Sequence, residues 1–316
     1  MIDKRTSENF DVARAVAILL VVTGHFGTGI ALFWVGPTVG LFVFGFSSAY
    51  FTSAKYDERL RLGPFWRNKL DRLAPNVLVA NAFLVVLLAL EGRPGLLTWQ
   101  SLVHLAGMTG WLNWFGLEIP SPLGAGLWFF TLLLCFYAVY PALRWVGRSR
   151  PALGSVVGLA LVAAVLLNRY MNMGHALWLT AWSFVLGVFV QRAAVSVRPL
   201  VSASVAVGLA AAMLGLNLVW SVKTLNTCLL LAICTCIVLW LKDARLPIRF
   251  LRPLRVVSGM LLEVYFVHTY LFVRVTGYAW LDYMVSLACI LGASWVLNRV
   301  ASQIRRLLAR SAPAKV

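Results

Sequence analysis

Apolar residues run along this chain in blocks of about 17–25, separated by short stretches in which Arg, Lys, Pro and Gly collect. Wound as a helix, a block of that length crosses the roughly 30 Å of hydrocarbon in a bilayer. The blocks predict ten membrane spans, at 10–30, 36–54, 74–92, 126–146, 152–168, 174–191, 199–219, 222–241, 256–276 and 279–299. The segment 93–125 reads differently. It includes LLTWQSLVHLAGMTGWLNWFG, which is apolar and aromatic but rich in Gly, Trp and Asn. Treating it as a full span would reverse the charge bias of everything downstream. It is therefore expected to be a re-entrant or interfacial element on the outer face, where Trp is at home. The predicted fold is an all-α polytopic membrane bundle, one domain over 1–316, with both termini cytoplasmic. No internal repeat is evident, which weighs against transporters built from duplicated halves.

Composition strengthens this picture. Of 316 residues, 61% are hydrophobic and only 12% charged, and mean hydropathy is +0.83. A soluble domain of this length cannot bury so much apolar surface. The net charge of +17 raises nucleic acid as a partner, but its distribution argues against one. The predicted inside segments hold 23 of the 28 Lys and Arg. They are Lys4 and Arg5, six residues in 55–72, Arg144, Arg148 and Arg150, Arg192 and Arg198, five in 242–255 and five in 299–315. That asymmetry is the positive-inside rule, so the charge is read as topology and the bilayer as the partner. Asp11 and Arg14 interrupt the first apolar run, and no small-residue cleavage pattern follows, which predicts a retained helix rather than a signal peptide. The five cysteines all lie in apolar spans, and no disulfide is expected. Cys234 and Cys236, two apart, face different sides of a helix, so no metal site is expected either.

Ionisable side chains inside a bilayer cost several kcal/mol unless paired or facing a cavity, so each is a candidate for function. In DVARAVAILLVVTGHF, residues 11–26, Arg14 and His25 are eleven steps apart. At 100° per residue they fall within about 20° of each other around the helix, and His25 lies about 16 Å farther along. Asp11, three residues before Arg14, shares that face and is placed to pair with it. The stripe reads either as a functional track or as a snorkelling arginine and a histidine bonded to a neighbouring helix. SGMLLEVYFVHTYLF, residues 258–272, places Glu263, Tyr265 and His268 in the ninth span. Tyr265 and His268 share a face, whereas Glu263 points away and is available to neutralise Arg14 or another buried cation. These groups serve proton chemistry or structural bonding between helices. The loop FWRNKLDRLAP, residues 65–75, brings Arg67, Lys69 and Arg72 to the inner surface. There they fix topology, meet lipid headgroups, or hold the phosphates of a nucleotide-bearing donor.

These motifs together resemble the acyltransferase-3 family of integral membrane acyltransferases. The family's first helix, with an Asp, a basic residue, ten residues and a histidine, is similar to Asp11, Arg14 and His25. LFVFGFSSAY resembles its Phe-rich helix, with Ser47 at the serine position; Ser48 and Ala49 depart from the Gly that follows in the family. RNKLDRLAP resembles its basic motif through Arg67, Arg72 and Pro75. LWFFTLLLCFYAVYP resembles its Trp-to-Tyr-Pro helix through Trp128, Tyr137 and Pro141, although Leu and Cys stand where many members carry Glu. LLEVYFVHTYLF resembles its late Tyr-x-x-His helix through Tyr265 and His268. The resemblance runs from about residue 9 to 300.

The resemblance implies a multi-pass protein of the bacterial inner membrane that transfers an acyl group, acetyl foremost, from cytoplasmic acyl-CoA to a hydroxyl outside. Acyl-CoA is then the donor substrate and no cofactor is held permanently. His25 is implied as general base or transient acyl carrier, and Arg14, paired with Asp11, in donor positioning. Arg67, Lys69 and Arg72 are implied at the CoA phosphates. Tyr265, His268, Glu263, Ser47 and Trp128 form a second tier at the acceptor or the oxyanion. The expected acceptor is a sugar on a lipid-linked or growing polysaccharide, as in exopolysaccharide or lipopolysaccharide O-acetylation. A small-molecule acceptor is the alternative within this class, and a proton-coupled transporter or flippase using Arg14, His25 and Glu263 is the alternative outside it.

Overall fold

A computed structural model describes residues 3–27, 35–96, 98–117, 121–124, 127–171, 177–219, 223–247 and 251–311, with side chains described to Leu308. The ends of four predicted spans (28–30, 126, 174–176 and 222) lie outside the described residues. Among the described residues all regular structure is helical. Eight helices among these residues are long and apolar enough to cross a membrane: α1 (Lys4–Phe26), α2 (Val35–Tyr56), α3 (Leu62–Leu90), α6 (Trp128–Val146), α7 (Arg150–Tyr170), α9 (Pro199–Val219), α10 (Lys223–Asp243) and α13 (Ala279–Ser311). The chain is a multi-pass membrane protein.

The remaining elements are shorter. α8 (Leu177–Arg192) has 16 residues, about 24 Å of helix and short of a full hydrocarbon core. The 93–125 segment holds two small helices, α4 (Trp99–Leu105) and α5 (Thr109–Trp114). The expected ninth span is not one helix. It is α11 (Arg252–Ser258), a turn, α12 (Leu261–Val267), a 3₁₀ turn (His268–Tyr270) and an irregular run through Val275.

That break has a physical basis in α13. Asn298 Nδ2 donates to the Gly259 carbonyl at 2.9 Å, where α11 ends. Farther on, the Val273 amide donates to Ser286 Oγ at 2.8 Å, and those of Val275 and Thr276 to Asp282 Oδ1 at 3.2 and 2.9 Å. Backbone released from a helix survives at membrane depth only if other groups satisfy it. Three polar side chains on α13 do so here. The basic stretch also departs from the expected loop: α3 begins at Leu62, a turn and a half before Arg67. Pro64 sits in the first turn, where its missing N–H costs nothing, and the helix continues through Pro75.

The described residues pack as two compact units. The first comprises Met1–Leu60 with Cys135–Arg255, the second Arg61–Leu134 with Val256–Val316. In the first, α2 lies against α1 and α8, and α10 against α9. Close approach needs small residues: a Cβ at Gly40 would stand 2.7 Å from the Ala17 carbonyl oxygen. Aromatic rings fill the same interior, with Phe10, Phe46 and Tyr50 in mutual contact at 5.7, 5.9 and 6.2 Å, and Phe136 on Phe184 at 4.3 Å. Polar clasps tie the helix ends. Asn9 Nδ2 donates to the Leu241 and Ala244 carbonyls at 2.8 and 2.9 Å, capping α10 from α1. Arg192 pairs with Asp57 at 3.0 Å, while Arg144 donates to the Asp57 carbonyl. In the second unit α3, α12 and α13 pack on one another.

Candidate active site

In the first unit α1 is uninterrupted from Lys4 to Phe26, so Asp11, Arg14 and His25 do share one helix face, as the spacing predicts. Arg14 Nη2 lies 3.6 Å from Asp11 Oδ1, both side chains being half-buried. The guanidinium also sits 5.1 Å over the Phe51 ring, a cation–π contact. His25 is exposed at the penultimate position of the helix. Its Nδ1 is 3.0 Å from the Val21 carbonyl. A carbonyl only accepts, so Nδ1 carries the hydrogen and Nε2 holds the lone pair of the neutral ring. Ser47 is fully buried on α2 and donates to the Phe44 carbonyl at 3.3 Å.

The second unit holds the other candidates. His268 is fully buried, its Nδ1 2.7 Å from the Tyr265 carbonyl and its ring 5.9 Å from that of Tyr265. The Tyr265 hydroxyl oxygen accepts the Phe129 amide at 3.1 Å, and the two rings meet edge to face. Trp128, half-buried, precedes Phe129 at the start of α6. The structure thus joins Tyr265, His268 and the Trp128–Phe129 corner.

Glu263 is buried and faces elsewhere, as expected. Its Oε1 accepts from Asn76 and, at 3.1 Å, from Asn298, while Arg305 donates to Asn76 Oδ1. Its Oε2 is buried with no hydrogen-bond partner. The cation expected near Glu263 is therefore Arg305, reached through Asn76. Arg67, Lys69 and Arg72 follow along the first turns of α3. Arg67 and Arg72 are exposed; Arg67 lies 3.7 Å from Asp71, and Lys69 rests over the Phe65 ring.

Two constellations were not anticipated from the sequence. One is the Asn76–Arg305–Asn298 set around Glu263. The other is His104 on α4, 1% exposed. Its Nε2 lies 3.0 Å from Asn81 Oδ1 and its Nδ1 3.1 Å from Thr109 Oγ1. The amide oxygen accepts from Nε2–H, so Nδ1 accepts from the threonine hydroxyl. Burial holds this ring neutral, pushing its pKa down to about 4.

These features define an all-helical, multi-pass membrane protein with a polar stripe along its first helix and a second polar cluster on a broken one. The family model described as an acyltransferase domain matches residues 7–299, and the chain belongs to the acyltransferase-3 family. It is a membrane acyltransferase. No curated protein and no solved structure matches it.

Proposed function

We propose that this protein is an acyl-CoA-dependent O-acyltransferase, moving an acetyl group from cytoplasmic acetyl-CoA to a sugar hydroxyl of an extracytoplasmic or lipid-linked polysaccharide. The observation that carries the reading is the shared face of Asp11, Arg14 and His25 along α1, within a chain that matches an acyltransferase domain. Whether the imidazole takes a proton from the acceptor hydroxyl or carries the acyl group itself, it acts in its neutral form through Nε2, since Nδ1 faces the Val21 carbonyl. In the base route, Nε2 removes the hydroxyl proton, the oxygen attacks the thioester carbonyl, and the carbon–sulfur bond breaks to release CoA thiolate. The proton held by His25 then passes to that thiolate, which restores the neutral ring.

The other residues take supporting roles. Arg14, held by Asp11 and Phe51, positions the donor. Arg67, Lys69 and Arg72 meet its phosphates, with Arg67 and Arg72 exposed for guanidinium–phosphate pairing. Tyr265, His268 and Trp128 serve the acceptor, and Ser47 and Glu263 support the helices that carry the site. The experiment is a donor panel on the purified protein in nanodiscs, reading CoA release with acetyl-, propionyl- and longer acyl-CoA. Arg67→Gln with Arg72→Gln is expected to raise the KM for acetyl-CoA about tenfold or more with kcat little changed. Absence of CoA release with every donor would overturn the reading.

A further inference from the structure

Within the second unit, a groove of about 270 Å³ opens between the α11–α12 turn and α13. Gly259 forms one wall; Trp295, Arg299, Ser302, Gln303 and Arg306 form the other. The spacing of these α13 residues puts them on one helix face. Arg299 and Arg306 stand two turns apart, about 10 Å along the axis, with Ser302 and Gln303 between them. An anion seated at Ser302 therefore meets a cation on each side and neutral donors beneath.

We propose that this groove binds the phosphate headgroup of an anionic phospholipid. Three observations choose a lipid. The groove lies where the apolar run of α13 gives way to arginines, at Asn298–Arg299. Beside it the same helix exposes Val296, Val300, Leu307 and Leu308, a surface suited to acyl chains. Trp295 stands 49% exposed at the rim with Arg299 5.2 Å over its ring, the pairing of aromatic and cation favoured at headgroup depth. Basic pockets between helices at this level suit acidic headgroups. The Glu263 carboxylate accepts from Asn76 and Asn298, with Arg305 behind Asn76, and is not among the residues that line the groove.

The test is native mass spectrometry of the full chain in detergent, titrated with dioleoyl phosphatidylglycerol and with phosphatidylcholine. Wild type is expected to retain phosphatidylglycerol selectively. Arg299→Gln with Arg306→Gln should lower that retention about tenfold or more, and Arg299→Lys with Arg306→Lys should keep most of it. Both positions are exposed, so the variants stay folded, as a monodisperse elution profile would verify. Equal retention of phosphatidylglycerol by the Gln pair would overturn the proposal. So would equal binding of phosphatidylcholine, or displacement of the lipid by coenzyme A, which would make the groove a nucleotide-phosphate site.

Discussion

At the scale of single residues, what a side chain does here depends on which backbone group it touches. His25 and His104 show the contrast. His25 bonds the carbonyl four residues back on its own helix and stands exposed near that helix's end. His104 spends both nitrogens on Asn81 and Thr109 inside the second unit and is a structural neutral ring. The unfolded chain protonates this histidine near pH 6.5, whereas the folded protein resists until about pH 4. Its contribution to stability is therefore complete above pH 6.5 and declines as pH falls towards 4, by up to about 3 kcal/mol. Thermal unfolding in detergent between pH 7.5 and 4.5 should show that decline, and His104→Gln should flatten it. Glu263 makes a sharper case. Glu263→Gln keeps an amide oxygen for Asn76 and Asn298 and should retain the fold, whereas Glu263→Ala leaves the buried Asn76 amide without its acceptor and should cost about 2 kcal/mol.

The residues legible in the sequence were those whose partners lie on their own helix. Asp11, Arg14 and His25 were placed by periodicity alone, because an unbroken helix fixes who shares a face. The Tyr265–His268 pairing was readable because a spacing of three keeps them on one face across the join of α12 and the 3₁₀ turn. The set around Glu263 was not, since Asn76, Asn298 and Arg305 come from helices far apart in the chain. Two polar signals were available in retrospect: an Asn directly after Pro75, and Asn298 closing an apolar run.

At the scale of elements, hydropathy found the long helices and misjudged those shaped by local chemistry. The start of α3 was missed because its first turns are charged and Pro75 reads as a breaker. Arg67 and Asp71, four apart, instead support the helix. The break in the ninth span was hidden because hydropathy does not register that Asp282, Ser286 and Asn298 satisfy backbone on a neighbouring segment. Helix packing in the first unit rests on small residues and buried caps. Gly40→Ala should destabilise it, because the added methyl meets backbone at Ala17 and cannot be relieved by a side-chain rotation. Asn9→Ala should cost about 1–3 kcal/mol by leaving the Leu241 and Ala244 carbonyls without their donor. Melting temperature in a fixed detergent reads both, and an unchanged value would contradict these roles.

For the molecule as a whole, the hydrophobic helices define a membrane protein and the family match defines an acyltransferase. The proposed chemistry adds a donor, an acceptor and a base. Its central claim is that acyl transfer runs through His25. The direct measurement uses the purified chain in nanodiscs with acetyl-labelled acetyl-CoA and a polysaccharide acceptor, comparing wild type with His25→Ala. Wild type is expected to transfer label and the variant to lose about a hundredfold or more, with the helical circular-dichroism spectrum unchanged. Full turnover by folded His25→Ala would contradict that claim and return His25 to a structural role.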